Sequence, residues 1–463
     1  MKLLRTQKAS VAIGLLSIVY TAVHSAKAAE TVASFTTNGW TALSPREEIR
    51  PDFSVSKEGR HPGGESLVIE HNEREGLVGR WSKSFPVEGG RYYQFQVFQR
   101  VENVPTPRSS AIIQMTWEDG AGTQVWNDQP VVDYYRGGGK VKSNQEYPIS
   151  ERDAGDGWAE ISGTYRAPET ATQTTVDLFL KWAPRGKVEW TEVSLKAVEK
   201  PAERKVRLAS VHFQPKGGKT PDENCRMFAP LIADAARQKA DLVVLPETLT
   251  YYGLKKSYAD VAEPIPGPST EYFGTLAKQH DLYLVVGLCE RAEHLVYNVA
   301  VLIGPDGKIV GKYRKVCLPA SESEGGIAPG HEYPVFETRF GKVGMMVCYD
   351  GFFPEVAREL TKGGAEVIAW PVWGCNPLLA RARATENQVY LVSSTYTPAD
   401  TDWIISAVFD HTGETLVSAQ NFGEVVVTEV DLGKPTLWAG LGDFKAQMIR
   451  RRPEAPSGRP HAK

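Results

Sequence analysis

The sequence predicts two globular domains in tandem, an all-β sandwich followed by an α/β layered domain, behind a short leader that belongs to neither. Three observations carry this reading. The chain has 463 residues, enough for two to four domains at roughly 100–200 residues each. From residue 30 to about 198, short alternating runs recur between turn signals with hardly any helical periodicity. Beyond residue 204, apolar runs too short for helices alternate with segments of helical spacing. Hydrophobic residues are 41% and charged residues 24%, so the chain can bury a core and lacks the composition of a disordered protein.

Residues 1–28 read as a signal peptide. Lys2, Arg5 and Lys8 give a positive start, Val11 to Val23 is mostly apolar and uncharged, and Ala26-Lys27-Ala28 is an A-x-A cleavage site. An apolar stretch of about 13 residues is shorter than the ~20 that cross a bilayer. The expectation is export to the periplasm or the extracellular space, with no membrane association once the leader is removed. A formal charge of 53 − 56 = −3 also argues against a nucleic-acid partner.

Residues 29–198 form the predicted β domain. Its clearest strands are Arg91 to Phe98, Ala111 to Trp117 and Thr174 to Leu180, with turns at Glu88-Gly89-Gly90, Glu118-Asp119-Gly120 and Gly137-Gly138-Gly139. Seven of the eleven tryptophans fall here: Trp40, Trp81, Trp117, Trp126, Trp158, Trp182 and Trp190. With its opening Asn38-Gly39-Trp40 and its closing strand Val188 to Leu195, the layout resembles the jelly-roll carbohydrate-binding-type modules attached to exported enzymes. That resemblance implies a glycan or cell-surface ligand, set against the plainer reading that sandwich tryptophans fill the core.

A charged, proline-containing linker, residues 199–204, precedes the second domain at 205–435. Val206 to Phe213 and Leu242 to Leu245 read as strands and Asn224 to Lys239 as a helix. Leu282 to Leu288, Val343 to Val347, Val367 to Trp370 and Tyr390 to Ser394 read as further strands, and Asn298 to Lys312 as a hairpin around Gly304-Pro305-Asp306-Gly307. Residues 436–463 are left as a tail that could cross to a neighbouring copy before a basic, disordered end.

Several chemistries lack support. The five cysteines (Cys225, Cys289, Cys317, Cys348 and Cys375) include no C-x-x-C pair, no H-E-x-x-H occurs, and a metal site is not expected. A Cys317–Cys375 disulfide would require two loops to meet. Gly217-Gly218-Lys219-Thr220 invites a phosphate-loop reading but has Phe213 where that motif needs its first glycine.

The informative set is Glu247, Lys315 and Cys348. Glu247 and Cys348 each stand at the end of an apolar strand, and Lys315 just past the hairpin. Side chains at the carboxyl ends of strands in layered α/β proteins converge on one crevice. There an acid can take a thiol proton, and an amine can stabilise the thiolate and the tetrahedral oxyanion together with a backbone N–H of the following turn. Cys289, which also ends an apolar run, lacks such surroundings and reads as core.

Leu245-Pro246-Glu247, Tyr313-Arg314-Lys315-x-x-Leu318-Pro319 and Val347-Cys348-Tyr349-Asp350-x-x-Phe353-Pro354-Glu355 together resemble the carbon–nitrogen hydrolases of the nitrilase superfamily. Arg381 to Asn387 matches a later helix of that family. The resemblance implies a four-layer α-β-β-α sandwich, a Glu–Lys–Cys triad, no cofactor, a homo-oligomer, and a second glutamate between lysine and cysteine. Glu324 is the choice for that glutamate because it shortly precedes a Pro-Gly, with Glu322 its rival. Cys317 stands where the family often has histidine.

Cys-Tyr-Asp followed by Phe-Pro-Glu resembles the amidase and carbamoyl-hydrolase side of the superfamily. The expected substrate is therefore a small linear amide or N-carbamoyl compound, releasing ammonia or an amine. Tyr252, Tyr349, Trp370 and Trp373, together with Tyr251, are expected to line its pocket, Trp373 above all. Nitrile hydrolysis, acyl transfer to an amine from the same thioester, and a non-enzymatic glycan- or surface-binding protein remain as alternatives.

Overall fold

The computed structural model describes residues 32–133 and 139–453. The expected signal peptide, residues 1–28, lies outside them, as do most of the Gly137-Gly138-Gly139 turn and the last ten residues of the tail.

Strict alternation in the first domain produces strands with one buried face, as in Ala111–Glu118, where every second side chain is buried. Two antiparallel sheets result. The first orders Val32–Thr37, Trp40–Ser44, Val78–Pro86, Gln173–Lys181 and Ala111–Glu118; the second orders Asp52–Ser56, Ser66–Glu70, Lys187–Val198, Tyr92–Glu102, Trp158–Arg166 and Ser150–Asp153. Trp81, Ile113, Met115 and Leu178 of the first pack against Ile69, Phe95, Val97 and Trp190 of the second. Five of the seven tryptophans are buried, while Trp126 and Trp182 stand exposed.

The second domain has two six-stranded mixed sheets. In one, Lys205–His212, Leu242–Val244 and Tyr283–Ala292 run parallel; in the other, Lys342–Met345, Val367–Val372 and Tyr390–Thr395 do. Their facing sides share a core that includes Leu208, Val244, Val285, Met345, Ile368 and Val392. Strands buried on both faces read as continuous apolar runs, which is why Val367–Val372 is buried at every position. Helices Pro221–Met227, Ala229–Arg237 and Pro268–His280 cover one outer face through Phe228, Ile232 and Phe273. Pro354–Lys362 and Pro377–Asn387 cover the other through Val356, Leu360 and Ala384. The layers therefore stack α-β-β-α.

Three details bear on the sequence expectation. The helix expected over Asn224 to Lys239 is two helices that meet at Phe228, because Pro230 sits in the first turn of the second, where its missing N–H costs nothing. Gly217 to Thr220 is a loop whose Thr220 hydroxyl caps a helix by accepting from Glu223 N at 3.1 Å. The tail is the larger correction, since it docks on its own chain. Val132 N donates to Leu437 O at 2.7 Å and Ala439 N to Val132 O at 2.9 Å. Helix Phe444–Arg451, capped by Asp443, then lies against the sandwich, where Arg108 donates to the carbonyls of Ile449 and Arg452, both at 2.7 Å. Polar side chains that a sequence reading assigns to solvent thus satisfy carbonyls across the domain boundary.

The linker is anchored as well. Arg204 forms a bidentate pair with Glu366 at 2.7 and 2.9 Å. Among the described residues no helix is long and apolar enough to cross a membrane, and all five cysteines are free thiols.

Candidate functional site

Each member of the site leaves a strand where the ladder stops. Leu242–Val244 ends two residues before Pro246, so Glu247 falls in the turn beyond, and Gly287 of the adjacent strand lets that turn come close: a Cβ there would lie 2.6 Å from Glu247 Cα. Lys315 follows strand Ile309–Arg314, its N–H donating to Asn298 O at 2.9 Å. Cys348 opens a 3₁₀ turn, Cys348–Phe352, after strand Lys342–Met345.

Glu247 and Lys315 meet in the buried space between these ends. Lys315, only 1% exposed, donates to Glu247 Oε1 at 3.0 Å and to Glu322 Oε1 at 2.6 Å. Asn298 Nδ2 donates to the same two oxygens, at 2.7 and 3.2 Å. Glu247 Oε2 and Glu322 Oε2 are buried with no partner among the described residues. Burial by itself would lower the Lys315 ammonium's pKa, but Glu247, Cys348 and Glu322 outweigh it and hold the group charged. Burial raises the Glu322 carboxyl, opposed by Lys315 and reinforced by Glu247.

Cys348 is half-buried and shares this electrostatic field. Burial and the Glu247 charge raise its thiol pKa well above the ordinary value, against the pull of Lys315 and of the Gly374 and Trp373 backbone. The Lys315 ammonium favours the thiolate, while burial and the Glu247 carboxylate favour the protonated thiol.

The nucleophile's backbone is held in an unusual state. Cys348 has φ +41°, a left-handed conformation that non-glycine residues seldom adopt. Asp350, fully buried, fixes the turn by accepting from Val347 N at 2.9 Å, Cys317 N at 2.8 Å and Tyr313 OH at 2.8 Å. Arg383 Nε donates to Gly351 O at 3.2 Å. Below the turn, Trp370 Nε1 donates to Cys348 O at 3.2 Å, and a Cβ at position 351 would overlap its ring.

The other expected residues divide. Glu324 is exposed and away from Lys315, which Glu322 contacts instead. In the short helix Ala320–Glu324 residues two apart point in opposite directions, about 200° around the axis, so one faces inward only if the other does not. Trp370 does not line a pocket: it is fully buried and buttresses the nucleophile from beneath. Tyr349 packs at a tilt against Phe352 and edge-on against Phe353, with ring centroids 5.2 and 5.3 Å away. Trp373, exposed, packs beside Tyr252 at 5.3 Å and Tyr396 at 5.1 Å, and Tyr251 stacks on Tyr258 at 4.3 Å.

Sequence reasoning missed Asn298 and Tyr396, and it met Asp350 and Arg383 only as members of the quoted motifs, without a role. Asn298 left one signal, as the lone amide in the apolar run Val296 to Ile303. Tyr396, whose hydroxyl donates to Glu247 O at 2.8 Å, left none. Among the described residues no cluster of side chains is suited to a metal ion.

The family model for carbon–nitrogen hydrolases matches residues 207–439. The omega-amidase NIT2 of Xenopus tropicalis is 33% identical over 253 residues, covering 49% of this chain and 89% of that protein. A nitrilase of Pyrococcus abyssi is 40% identical over 197 residues, covering 41% of this chain and 74% of its own length. Among solved structures, Nit3 of Saccharomyces cerevisiae, a member of branch 10 of the nitrilase superfamily, superposes with a TM-score of 0.45 at 27% identity over 50% of this chain and 93% of that one.

Proposed function

The chain belongs to the carbon–nitrogen hydrolase family, and from that premise we propose that it hydrolyses a small linear amide or N-carbamoyl compound through a thioester on Cys348. The observation that carries the reading is the common field of three side chains brought from separate strand ends. Lys315 Nζ is 3.0 Å from Glu247 Oε1, and both act on the proton affinity of the Cys348 thiol.

In the proposed sequence Glu247 removes the thiol proton as sulfur bonds to the substrate's carbonyl carbon. Its unpartnered Oε2 is the natural acceptor, since Oε1 is committed to Lys315 and Asn298. The carbonyl oxygen takes the electron pair and is met by the remaining N–H of Lys315 and the backbone N–H of Tyr349. When the oxyanion collapses, the C–N bond breaks and Glu247 returns its proton to the departing nitrogen. The carboxylate then activates the water that cleaves the thioester, releasing the acid and restoring the thiol. Glu322 is a positioning residue for Lys315. Its free Oε2 suits a substrate that brings an N–H, which favours amides and carbamoyl groups over nitriles.

Relatives named amidase and nitrilase leave that choice open, so the test spans both. Ammonia release is measured over short amides, N-carbamoyl amino acids, N-carbamoyl amines and nitriles, with Cys348→Ala in parallel and mass spectrometry to trap an adduct on Cys348. Turnover of amide or carbamoyl substrates that disappears in Cys348→Ala is expected. Turnover of nitriles alone, or activity that survives the substitution, overturns the reading. An added amine acceptor that diverts the product to a new amide would assign acyl transfer. We further propose that residues 1–28 direct export, which N-terminal sequencing of the mature protein tests.

A further inference from the structure

A cavity of about 500 Å³ lies between the sandwich and the C-terminal helix, and none of the residues around Cys348 lines it. Lys181 and Trp182 at the end of strand Gln173–Lys181 form one side, Tyr147 another, and Arg450, Arg451 and Arg452 the third; no aspartate or glutamate is among its described lining residues. Lys181 and the three arginines form no ion pair within 4.0 Å among the described residues. Their hydrogen bonds go to neutral acceptors: Arg450 to the carbonyls of Pro148 and Arg108, Arg451 Nε to Gln447 Oε1 at 2.7 Å.

Two features point to a ligand here. Arg450 is 7% exposed, and its Nε is buried without an acceptor, although buried guanidinium donors are normally satisfied. Trp182 is 61% exposed at φ +53°, so a large indole is held largely in water on an unfavourable backbone, its ring flanked by the Lys181 ammonium 6.0 Å from the centroid. The cations crowd one another as well. Burial first, then the charges of Arg451 and Arg80, pull the Lys181 ammonium down to about 8 in spite of Asp177.

We propose that this cavity binds an acidic saccharide, its carboxylates held by Lys181 and the arginines and a sugar ring laid on Trp182. A concave, partly desolvated cluster of like charges concentrates anions, guanidinium forks match carboxylates, and a flat indole offers an apolar face with little conformational cost. A cavity of this size falls within the range of small-ligand sites. The preference for a saccharide over a nucleotide rests on the proposed export; the anion-and-ring chemistry does not.

The test is isothermal titration of the full-length protein with a galacturonate oligomer, the corresponding neutral galactose oligomer, AMP and inorganic phosphate. The uronate oligomer is expected to bind, weakening with added salt, and the neutral oligomer not to bind. Trp182→Ala and Arg451→Gln, both at exposed positions, should each weaken binding at least about tenfold while amide turnover stays unchanged. Equal affinity for the neutral oligomer, no binding, or full affinity in both variants overturns the proposal. So does phosphate or AMP binding as tightly as the oligomer, which would mark a small-anion or nucleotide site. If N-terminal sequencing disproves export while the uronate still binds, only the argument from location is lost.

Discussion

Glu322→Gln removes a negative charge from beside Lys315 while keeping the side chain's volume. The lysine has three N–H donors, of which Glu247 Oε1 takes one at 3.0 Å and Glu322 Oε1 another at 2.6 Å, leaving one for the oxyanion. A hydrogen bond between charged groups contributes about 1.5–3 kcal/mol. If that tether is what aims the third donor, its loss reduces kcat/KM by about 10- to 150-fold, at about 1.4 kcal/mol per factor of ten. Glu324→Gln, at an exposed position in the same short helix, should leave kcat/KM within about twofold, as surface substitutions usually do. Steady-state ammonia release on the best substrate of the screen measures both variants, and thermal melting shows whether each is folded. A loss through kcat points to Lys315 geometry; a loss confined to KM points to the free Oε2 as a substrate contact. A folded Glu322→Gln enzyme within about threefold of wild type would refute the reasoning, as would equal losses in the two variants.

Two further outcomes are expected. Asp350→Asn puts an amide donor where Asp350 accepts from two backbone N–H groups and Tyr313 OH; it should cost about 1–3 kcal/mol of stability and lower turnover by releasing the strained Cys348 backbone, as read by denaturant melts beside the ammonia assay. Glu146, half-buried beside the docked tail, is raised to about 7 by desolvation, eased by the Trp117 hydrogen bond and reinforced by Asp443. A carboxyl raised on folding stabilises in its protonated form, so its contribution is complete below about pH 4.5 and lost as pH rises through about 7. The melting temperature should rise on acidification from about pH 8 to about pH 5, and Glu146→Gln should flatten that dependence; an unchanged slope would show that the carboxyl does not titrate there.

Much of this was legible along the chain because its cause is local. Periods of two residues or unbroken apolar runs separate half-buried from doubly buried strands, so the two sheet systems and their division near residue 200 follow from Ala111 to Trp117 and Val367 to Trp370 alone. A strand that ends at Pro246 or Cys348 delivers the next side chain to a sheet edge, and three such deliveries suffice to nominate Glu247, Lys315 and Cys348. What tertiary structure decided depends on contacts between residues distant in sequence. Glu322 rather than Glu324 turns inward because of a single short helix that the composition of its loop does not announce. Trp370 serves from beneath because its strand is buried on both faces. Asn298 and Tyr396 reach Glu247 from 51 and 149 positions away, and the tail folds back onto the sandwich across more than 300 residues. Periodicity sets which face a residue occupies; which partner it finds there depends on how separate layers stack, and the sequence pattern carries no such distance.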